Sequence, residues 1–299
     1  MLTKKQDNQY NLAILLTCHN RRDITLNCLQ ALEEQSVNFD VYLVDDGSSD
    51  GTSEAVQKQH PNVKVLQGDG NLFWVGGMYL AFAEAMKYNY EYYLWLNDDT
   101  ILEPNALQTL IETHSLLTKQ GKDRSIIVGS SKDPITGNYS YGGRVRSQRK
   151  FSRTFEPVEP TQEPQECDTM HGNIVLIPRS VVEIVGNLES AFTHQRGDLD
   201  YGLRAKKLGC SIFVAPNYVG TCQPNSVSGS WIDMKLSLYQ RLKKALQIKA
   251  FPPREWAIFT KRHSGKFWFI YWTFPYIRAA IGYGSSNSVS IQERQLIKK

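Results

Sequence analysis

Val41-Tyr42-Leu43-Val44-Asp45-Asp46-Gly47-Ser48-Ser49-Asp50-Gly51-Thr52 decides the fold. An apolar run of strand length ends in two adjacent carboxylates and then in a turn rich in glycine and serine. Packing gives no reason for a buried strand to end this way, because paired like charges repel and want water or a cation. The glycines permit a tight turn, and Ser49 or Asp50 is placed to cap a helix starting at Thr52. The same grammar returns in Tyr93-Leu94-Trp95-Leu96-Asn97-Asp98-Asp99-Thr100. In open α/β sheets, ligands bind at the carboxyl ends of strands. Two such ends suggest a site for a nucleotide and a divalent metal, Mg or Mn.

Outward from these ends the first half of the chain alternates. Leu12–Cys18 reads as a strand, and Arg22–Gln35 as a helix with Asn20 as cap and Ile24, Cys28, Ala31 and Leu32 on its inner face. Asp40–Val44, Val63–Leu66 and Tyr92–Leu96 are further strands, and Thr52–Lys58 is a short helix. A glycine-rich loop, Gln67–Gly77, precedes a helix whose Met78, Ala81, Phe82, Ala85 and Met86 face inward. Pro104 opens the next helix. This βαβα rhythm predicts an α/β fold with a mostly parallel central sheet and helices on both faces. The second half is mixed. Ile126–Ser130, Tyr139–Val145, Met170–Ile177 and Ser211–Ala215 read as strands. Pro178 opens a helix, Gly209 ends another over Asp198–Leu208, and the proline-rich, acidic Glu156–Glu166 reads as an exposed, mobile loop.

Three further stretches carry chemistry. Asn97-Asp98-Asp99 offers hard oxygen ligands of the kind Mg²⁺ and Mn²⁺ prefer, with substrate phosphates completing the shell. In Gly197-Asp198-Leu199-Asp200-Tyr201-Gly202-Leu203-Arg204, Asp198 falls at a helix start, where a carboxylate stays ionised and suits a general base. Arg204 is spaced to brace either aspartate, and an i,i+4 pair with Asp200 is the plain structural alternative. Gly68-Asp69-Gly70-Asn71-Leu72-Phe73-Trp74-Val75-Gly76-Gly77 combines backbone freedom with aromatic rings that can stack on a ligand. His171-Gly172-Asn173, just before an apolar strand, is placed to line the acceptor side.

With these residues in view, the chain from about Leu12 to Asn225 resembles the family 2 glycosyltransferases, which have the GT-A fold. Thr17-Cys18-His19-Asn20-Arg21 is similar to the family's opening strand and turn, Asn97-Asp98-Asp99 to its DxD motif, and Asp198–Arg204 to its EDxDxxxR segment. Gly70–Gly77 resembles rhamnosyltransferase-like members. The resemblance implies a nucleotide-sugar donor and inversion at the anomeric carbon. By it Asp46 contacts the nucleoside, Asp99 binds the metal, Asn97 or Asp98 lies near ribose and diphosphate, and Asp198 is the catalytic base. Thr17, Asn20, Arg21, Asp45, Gly70, Asn71, Trp74 and Gly77 join them around the donor, and His171, Gly172, Asn173 and Asp200 around the acceptor. Gly197 stands where the family has Glu, and Asn97 where it has the first aspartate. Cys222 or Gln223 stands where many relatives have a histidine near the metal.

Bulk composition agrees with an ordered globular protein: 299 residues, 41% hydrophobic and 21% charged. The five cysteines form no CxxC pair, which argues for reduced thiols and a cytosolic location. No signal-peptide pattern and no 18-residue apolar segment occurs. The net charge of +4 divides unevenly: Ile232–Lys299 carries 13 basic and 3 acidic residues, leaving 21 and 27 elsewhere. That stretch holds a basic amphipathic helix with Met234, Leu238, Leu242, Ala245 and Leu246 on one side, then the aromatic run Phe267–Arg278. Trp and Tyr favour the membrane–water boundary and Lys and Arg favour anionic lipid. Pro275 and Arg278 argue against a spanning helix, so this part is expected to lie on the inner face of the cytoplasmic membrane, or else to pack on the core or on a second subunit. No recognised nucleic-acid-binding fold accompanies the charge.

The expected organisation is therefore a GT-A catalytic domain over residues 1–228, with a nucleotide-sugar-binding half to about 130 and an acceptor-binding half after it. A helical extension follows over 229–299. A saccharide, plausibly lipid-linked, is the expected acceptor. A nucleotidyltransferase and a non-catalytic membrane-associated binding protein are the competing readings. The first is disfavoured because Cys18–Arg22 lacks the glycine of a phosphate-cradling loop.

Overall fold

The structure is a computed structural model describing residues 11–148, 154–226 and 228–281. The chain forms two compact units, divided between Gln223 and Pro224.

The first unit begins β1 (Leu12–Cys18), α1 (Arg22–Glu33), β2 (Phe39–Asp45), α2 (Thr52–Gln59), β3 (Lys64–Gln67), α3 (Phe73–Ala85) and β4 (Tyr92–Leu96). It continues with β5 (Ile101–Leu102), α4 (Ala106–Lys119), β6 (Ser125–Lys132), β7 (Tyr139–Tyr141) and β8 (Gly143–Arg146). Then come β9 (Phe155–Pro157), β10 (Gln165–Glu166), β11 (Thr169–Met170), β12 (Ile174–Pro178), α5 (Arg179–Val185), α6 (Gly197–Lys207) and β13 (Ser211–Thr221). The main sheet runs β10-β13-β6-β12-β4-β1-β2-β3, with β5 and β7 attached to β13 and β6. Strands β3, β2, β1 and β4 are mutually parallel, and β12 enters antiparallel between β4 and β6. A small antiparallel sheet, β11-β8-β9, stands beside it.

The buried strands explain themselves. Leu12, Ile14 and Leu16 pack with Leu43, Leu94, Leu96, Leu107 and Leu110 in one core on one face, and the equally buried Ala13, Leu15, Tyr93 and Trp95 show that the other face of β1 and β4 is covered too. The order 3-2-1-4 places a topological switch point between β1 and β4, and the crevice at the carboxyl ends of such strands is where an open α/β sheet binds ligands. Antiparallel β12 starts where β4 ends, with Ile174 opposite Leu96, so His171-Gly172-Asn173 is delivered to Asn97-Asp98-Asp99. Asn97 N–H donates to the Asn173 carbonyl at 3.1 Å.

Several expectations are corrected. Asn20 does not cap α1. It sits at φ +51° and its Oδ1 accepts the Ser49 N–H, while the first amide of α1, Arg22, donates to Asp50. Ile24 and Met86 are exposed. Helix α3 starts at Phe73, so half of the expected glycine loop is helical. Met170–Ile177 is two strands, broken at 171–173. Glu156–Glu166 is pinned rather than loose: β9 pairs with β8, β10 with β13, and the Thr161 carbonyl accepts the Asn217 N–H.

The second unit contains α7 (Leu238–Ala245), α8 (Pro253–His263) and α9 (Trp268–Ile281). The basic helix is shorter than expected because Ser237 and Gln240 form a capping box that starts it late. Met234, Leu238 and Leu246 are exposed, whereas Arg241 turns inward and donates to the Ala279 carbonyl at 3.2 Å. Trp256 and Trp272 donate their indole N–H groups to the carbonyls of Trp272 and Pro253, locking α8 to α9. This leaves Ile270, Phe274, Ile277 and Ile281 exposed along one stripe of α9, with Phe267 exposed in the turn before it. No helix among the described residues is long and apolar enough to cross a membrane.

Candidate active site

The carboxylates that open the sequence reading do not all face a ligand. Asp46 is buried. Its Oδ1 accepts the N–H groups of Gly70 (2.9 Å) and Leu72 (3.2 Å), and its Oδ2 that of Phe73 (2.8 Å). Asp45 accepts from the Ser48 amide and the Ser53 hydroxyl. Both side chains are spent on backbone and hydroxyl donors, so the direct nucleoside contact expected of Asp46 is replaced by a structural one: it shapes the loop beneath the pocket. Gly70 supplies the positive φ (+86°) that this loop needs. Asn71 is exposed and bonds only within its own turn, to Asp69. Gly77 is a packing residue, because a Cβ there would meet the Thr17 side chain at 2.1 Å; helix α3 and strand β1 touch at that point. Thr17 thus faces α3.

Anchored by Asp46, Phe73 adopts φ +53° at the first position of α3 and the chain swings Trp74 across the cleft. The Trp74 indole N–H donates to Asn97 Oδ1 at 2.7 Å. Its ring lies against Gly172, where a Cβ would come within 2.3 Å of it and within 3.4 Å of the Asp198 Cβ. A continuous path therefore runs from the Asp46 loop through Trp74 to Asn97 on one side and to Gly172 and Asp198 on the other.

Asn97-Asp98-Asp99 splits its duties. Arg21, from the turn after β1, donates to Asp98 Oδ1 and Asp99 Oδ2, both at 2.8 Å. Asp98 is buried, and burial raises its carboxyl to about 7 against the pull of Arg21. The Asp99 side chain keeps 28% of its surface exposed and takes the Cys222 thiol on Oδ1 at 3.4 Å. Of the two alternatives at the metal position, Cys222 is the neighbour. Burial and then Asp99 push its thiol up to about 12, so it stays protonated and is a poor ligand for a hard cation. No group of three His, Cys, Asp or Glu side chains arranged for a metal exists among the described residues. Asp99 alone fits the role of protein ligand. One or two carboxylates with substrate phosphates suffice for Mg²⁺.

Asp198 opens α6. Its Oδ1 accepts the Leu199 N–H at 2.7 Å and its Oδ2 the Gly172 N–H at 3.1 Å. Desolvation raises its pKa, while these two bonds and the nearby charge of Arg196 pull it back. The Glu that the resemblance expects before it has no room, since a Cβ at Gly197 would meet Val75 at 2.6 Å. Asp200, expected at the acceptor, is corrected: it has no accessible surface and receives Arg204 Nε at 2.8 Å. Arg204 also donates to the Val185 and Asn187 carbonyls, so it braces α6 to α5 and not the base.

Sequence reasoning missed Arg144 and Arg196. Arg196 stands at φ +73° immediately before α6, and Arg144 lies on β8, opposite Thr169 of β11. Both guanidinium groups feel the Asp198 charge. The signal for Arg196 was its place two residues before Asp198; Arg144 had none, because only the β8–β11 pairing brings it in. A cavity of about 250 Å³ beside Phe39–Val41 and His60–Val63 lies at the amino ends of β2 and β3, opposite the motifs, and is no part of this site.

The sequence pattern of Glycosyl transferase family 2 matches residues 13–185, more than half of the chain. The chain belongs to glycosyl transferase family 2. Glycosyl transfer, rather than nucleotidyl transfer, is the chemistry of that family. The N-acetylglucosaminyl-diphospho-decaprenol L-rhamnosyltransferase of two Mycobacterium tuberculosis strains is 23% identical over 196 residues, covering 58% of this chain. The match spans 63% of that relative's length, under two thirds. Among solved structures, the mannosyltransferase PcManGT from Pyrobaculum calidifontis, in complex with GDP-Man and Mn²⁺, superposes with a TM-score of 0.55 at 14% identity. That match covers 98% of this chain and 79% of that one. S. aureus TarS in complex with UDP gives 0.53 at 15% identity over 96% of this chain and 77% of that one. At these identities the superpositions show the GT-A fold.

Proposed function

We propose that this family 2 member transfers a sugar, with inversion, from a nucleotide-diphosphate donor to a saccharide acceptor. The observation that carries the reading is the Trp74 bridge. It ties Asn97, beside Asp99, to Gly172, whose amide holds Asp198, and this proximity supports a diphosphate site and a base acting on one substrate pair. Asp99 would hold Mg²⁺ or Mn²⁺ together with the donor; the chemistry such an ion supplies is charge neutralisation on the leaving diphosphate. Asp198 takes the proton of an acceptor hydroxyl as its oxygen attacks the anomeric carbon. The bond from that carbon to the diphosphate breaks on the opposite face, and the diphosphate leaves with the electron pair. Trp74 supplies a wall against which the transferred sugar is positioned.

The acceptor is a lipid-linked saccharide of a bacterial surface polysaccharide, and the enzyme works on the inner membrane surface. The M. tuberculosis relative, by its name, acts on a diphospho-decaprenol, and that analogy supports the reading. So does the apolar stripe of α9, flanked by a basic segment. A rhamnosyl donor is the form of this reading nearest to that relative. A thermal-shift panel of nucleotide sugars with and without Mn²⁺ tests it, because a ligand that binds only the native fold raises the melting temperature. One nucleotide sugar should stand out with metal and turn over in the presence of acceptor. A flat panel would sink the proposal.

A further inference from the structure

Arg21 leaves the turn after β1 from a fixed base. On one side of it the Asn20 N–H donates to Ser48 Oγ at 2.8 Å, and on the other the Arg22 N–H donates to Asp50 Oδ2 at 3.0 Å. Its own carbonyl accepts the Thr25 N–H at 2.9 Å, in the first turn of α1. These three bonds hold the backbone on which the side chain stands. From there the guanidinium spans from β1 to the end of β4: Nη1 donates to Asp98 Oδ1 and Nη2 to Asp99 Oδ2, both at 2.8 Å. A planar guanidinium keeps its donors in a rigid fork, so it sets the separation and the tilt of the two carboxylates it joins.

The two carboxylates need this hold unequally. The Asp98 side chain is 5% exposed and also accepts the Thr25 hydroxyl on Oδ2 at 3.4 Å. Asp99 is 28% exposed, and its Oδ1 meets only the Cys222 thiol at 3.4 Å, a weak donor. Arg21 therefore fixes one oxygen of Asp99 and leaves the other lightly held. Repulsion between the guanidinium and a divalent ion acts the other way. Arg21 is 38% exposed, so water screens that repulsion, whereas the orientation of a ligand is not screened.

We infer that Arg21 is a positioning residue for the metal: its fork, anchored on Asp98, holds Asp99 with Oδ1 turned to a divalent cation. The inference rests on the reading of Asp99 as the metal ligand and deepens it. It also gives Arg21 a role other than direct contact with the nucleotide, the place expected for it from the sequence. Groups that orient a ligand from behind typically tune metal affinity by roughly 10–100-fold.

Mn²⁺ is titrated into the full chain, alone and with excess UDP or GDP. The unbound ion is followed by electron paramagnetic resonance, with the ion that nucleotide binds by itself subtracted. In whichever wild-type titration is tightest, Arg21→Gln should weaken Mn²⁺ binding by roughly 10–100-fold. Arg21→Lys keeps the charge but lacks the fork and should also bind the ion more weakly than wild type. Both variants should bind UDP or GDP in EDTA as wild type does. Arg22→Gln, which loses only an exposed pair with Asp23, should leave the titration unchanged. Melting curves check the fold, and Arg21→Lys carries the test if Arg21→Gln melts early. Tighter Mn²⁺ binding in Arg21→Gln would show that charge repulsion wins and overturn the inference. Wild-type Mn²⁺ affinity in Arg21→Lys would overturn it as well, because charge alone would then suffice. Weaker nucleotide binding in EDTA with Mn²⁺ affinity intact would assign Arg21 to the donor instead. Unchanged Mn²⁺ binding in Asp99→Asn would remove the metal reading itself, whereas loss in Asp99→Asn beside an unaffected Arg21→Gln would remove only the role of Arg21.

Discussion

Asp198 must be surrounded by protein and still ionise. Two backbone amides and Arg196 partly offset the desolvation, but its pKa remains raised. A carboxyl whose folded pKa lies above its unfolded one favours the fold when protonated. That contribution is present below the unfolded pKa and is lost as pH rises through the folded pKa. Asp198→Asn should therefore gain thermal stability relative to wild type as pH rises from the ordinary carboxylate range upward and level off once Asp198 is ionised in the fold, read in parallel melts. The same substitution should cut turnover by roughly 10²–10⁴-fold while nucleotide binding survives. Wild-type kcat/KM should fall on the acid side with an apparent pKa above the ordinary carboxylate value. Gly172→Ala tests the neighbouring contact. Its Cβ has no room against the Trp74 ring, so a cost of about 1–3 kcal/mol and a marked loss of activity are expected in denaturation and transfer assays. The gap at Gly172 is invisible in a sequence that shows only a small residue before a strand.

At the scale of elements, the loop before α3 is held by one buried side chain. Asp46→Ala strips the acceptors from the amides of Gly70, Leu72 and Phe73. Leaving buried donors unpaired costs about 1–3 kcal/mol. Denaturant melts should show that loss, and Trp74 fluorescence together with donor KM should report a displaced indole. The strand ends were legible because an apolar run that stops at two carboxylates has few other uses. Which carboxylates remain open to a ligand was not legible. Asp46 finds its donors more than twenty residues away, and Arg21 reaches Asp98 and Asp99 from the neighbouring strand. The Asp200–Arg204 pair was legible, since i,i+4 spacing fixes it locally.

For the whole molecule, the proposed role of Asp99 as the protein's one metal ligand has a consequence. Mn²⁺ titrated alone should bind weakly, and tight binding should need the nucleotide sugar, whose phosphates complete the shell; paired calorimetric titrations check this. In the second unit, the exposed stripe of α9 should bind vesicles containing anionic lipid, with sedimentation falling in Phe274→Asp/Ile277→Asp and at high salt. Equal sedimentation of the variant and wild type would remove the membrane from the account.

From the sequence alone came the alternation of strands and helices, the carboxyl-end positions of the motifs and the place of Asp198 in the first turn of α6. Period, turn chemistry and helix boundaries are local properties, and the chain states them locally. Only the tertiary structure decided that Asp45, Asp46 and Asp200 are consumed within the protein and that the Asp99 side chain, though bonded to Arg21 and Cys222, keeps 28% of its surface exposed. A side chain's freedom to meet a ligand depends on which donors and charges the sheet order delivers to it, and those come from residues far away along the chain.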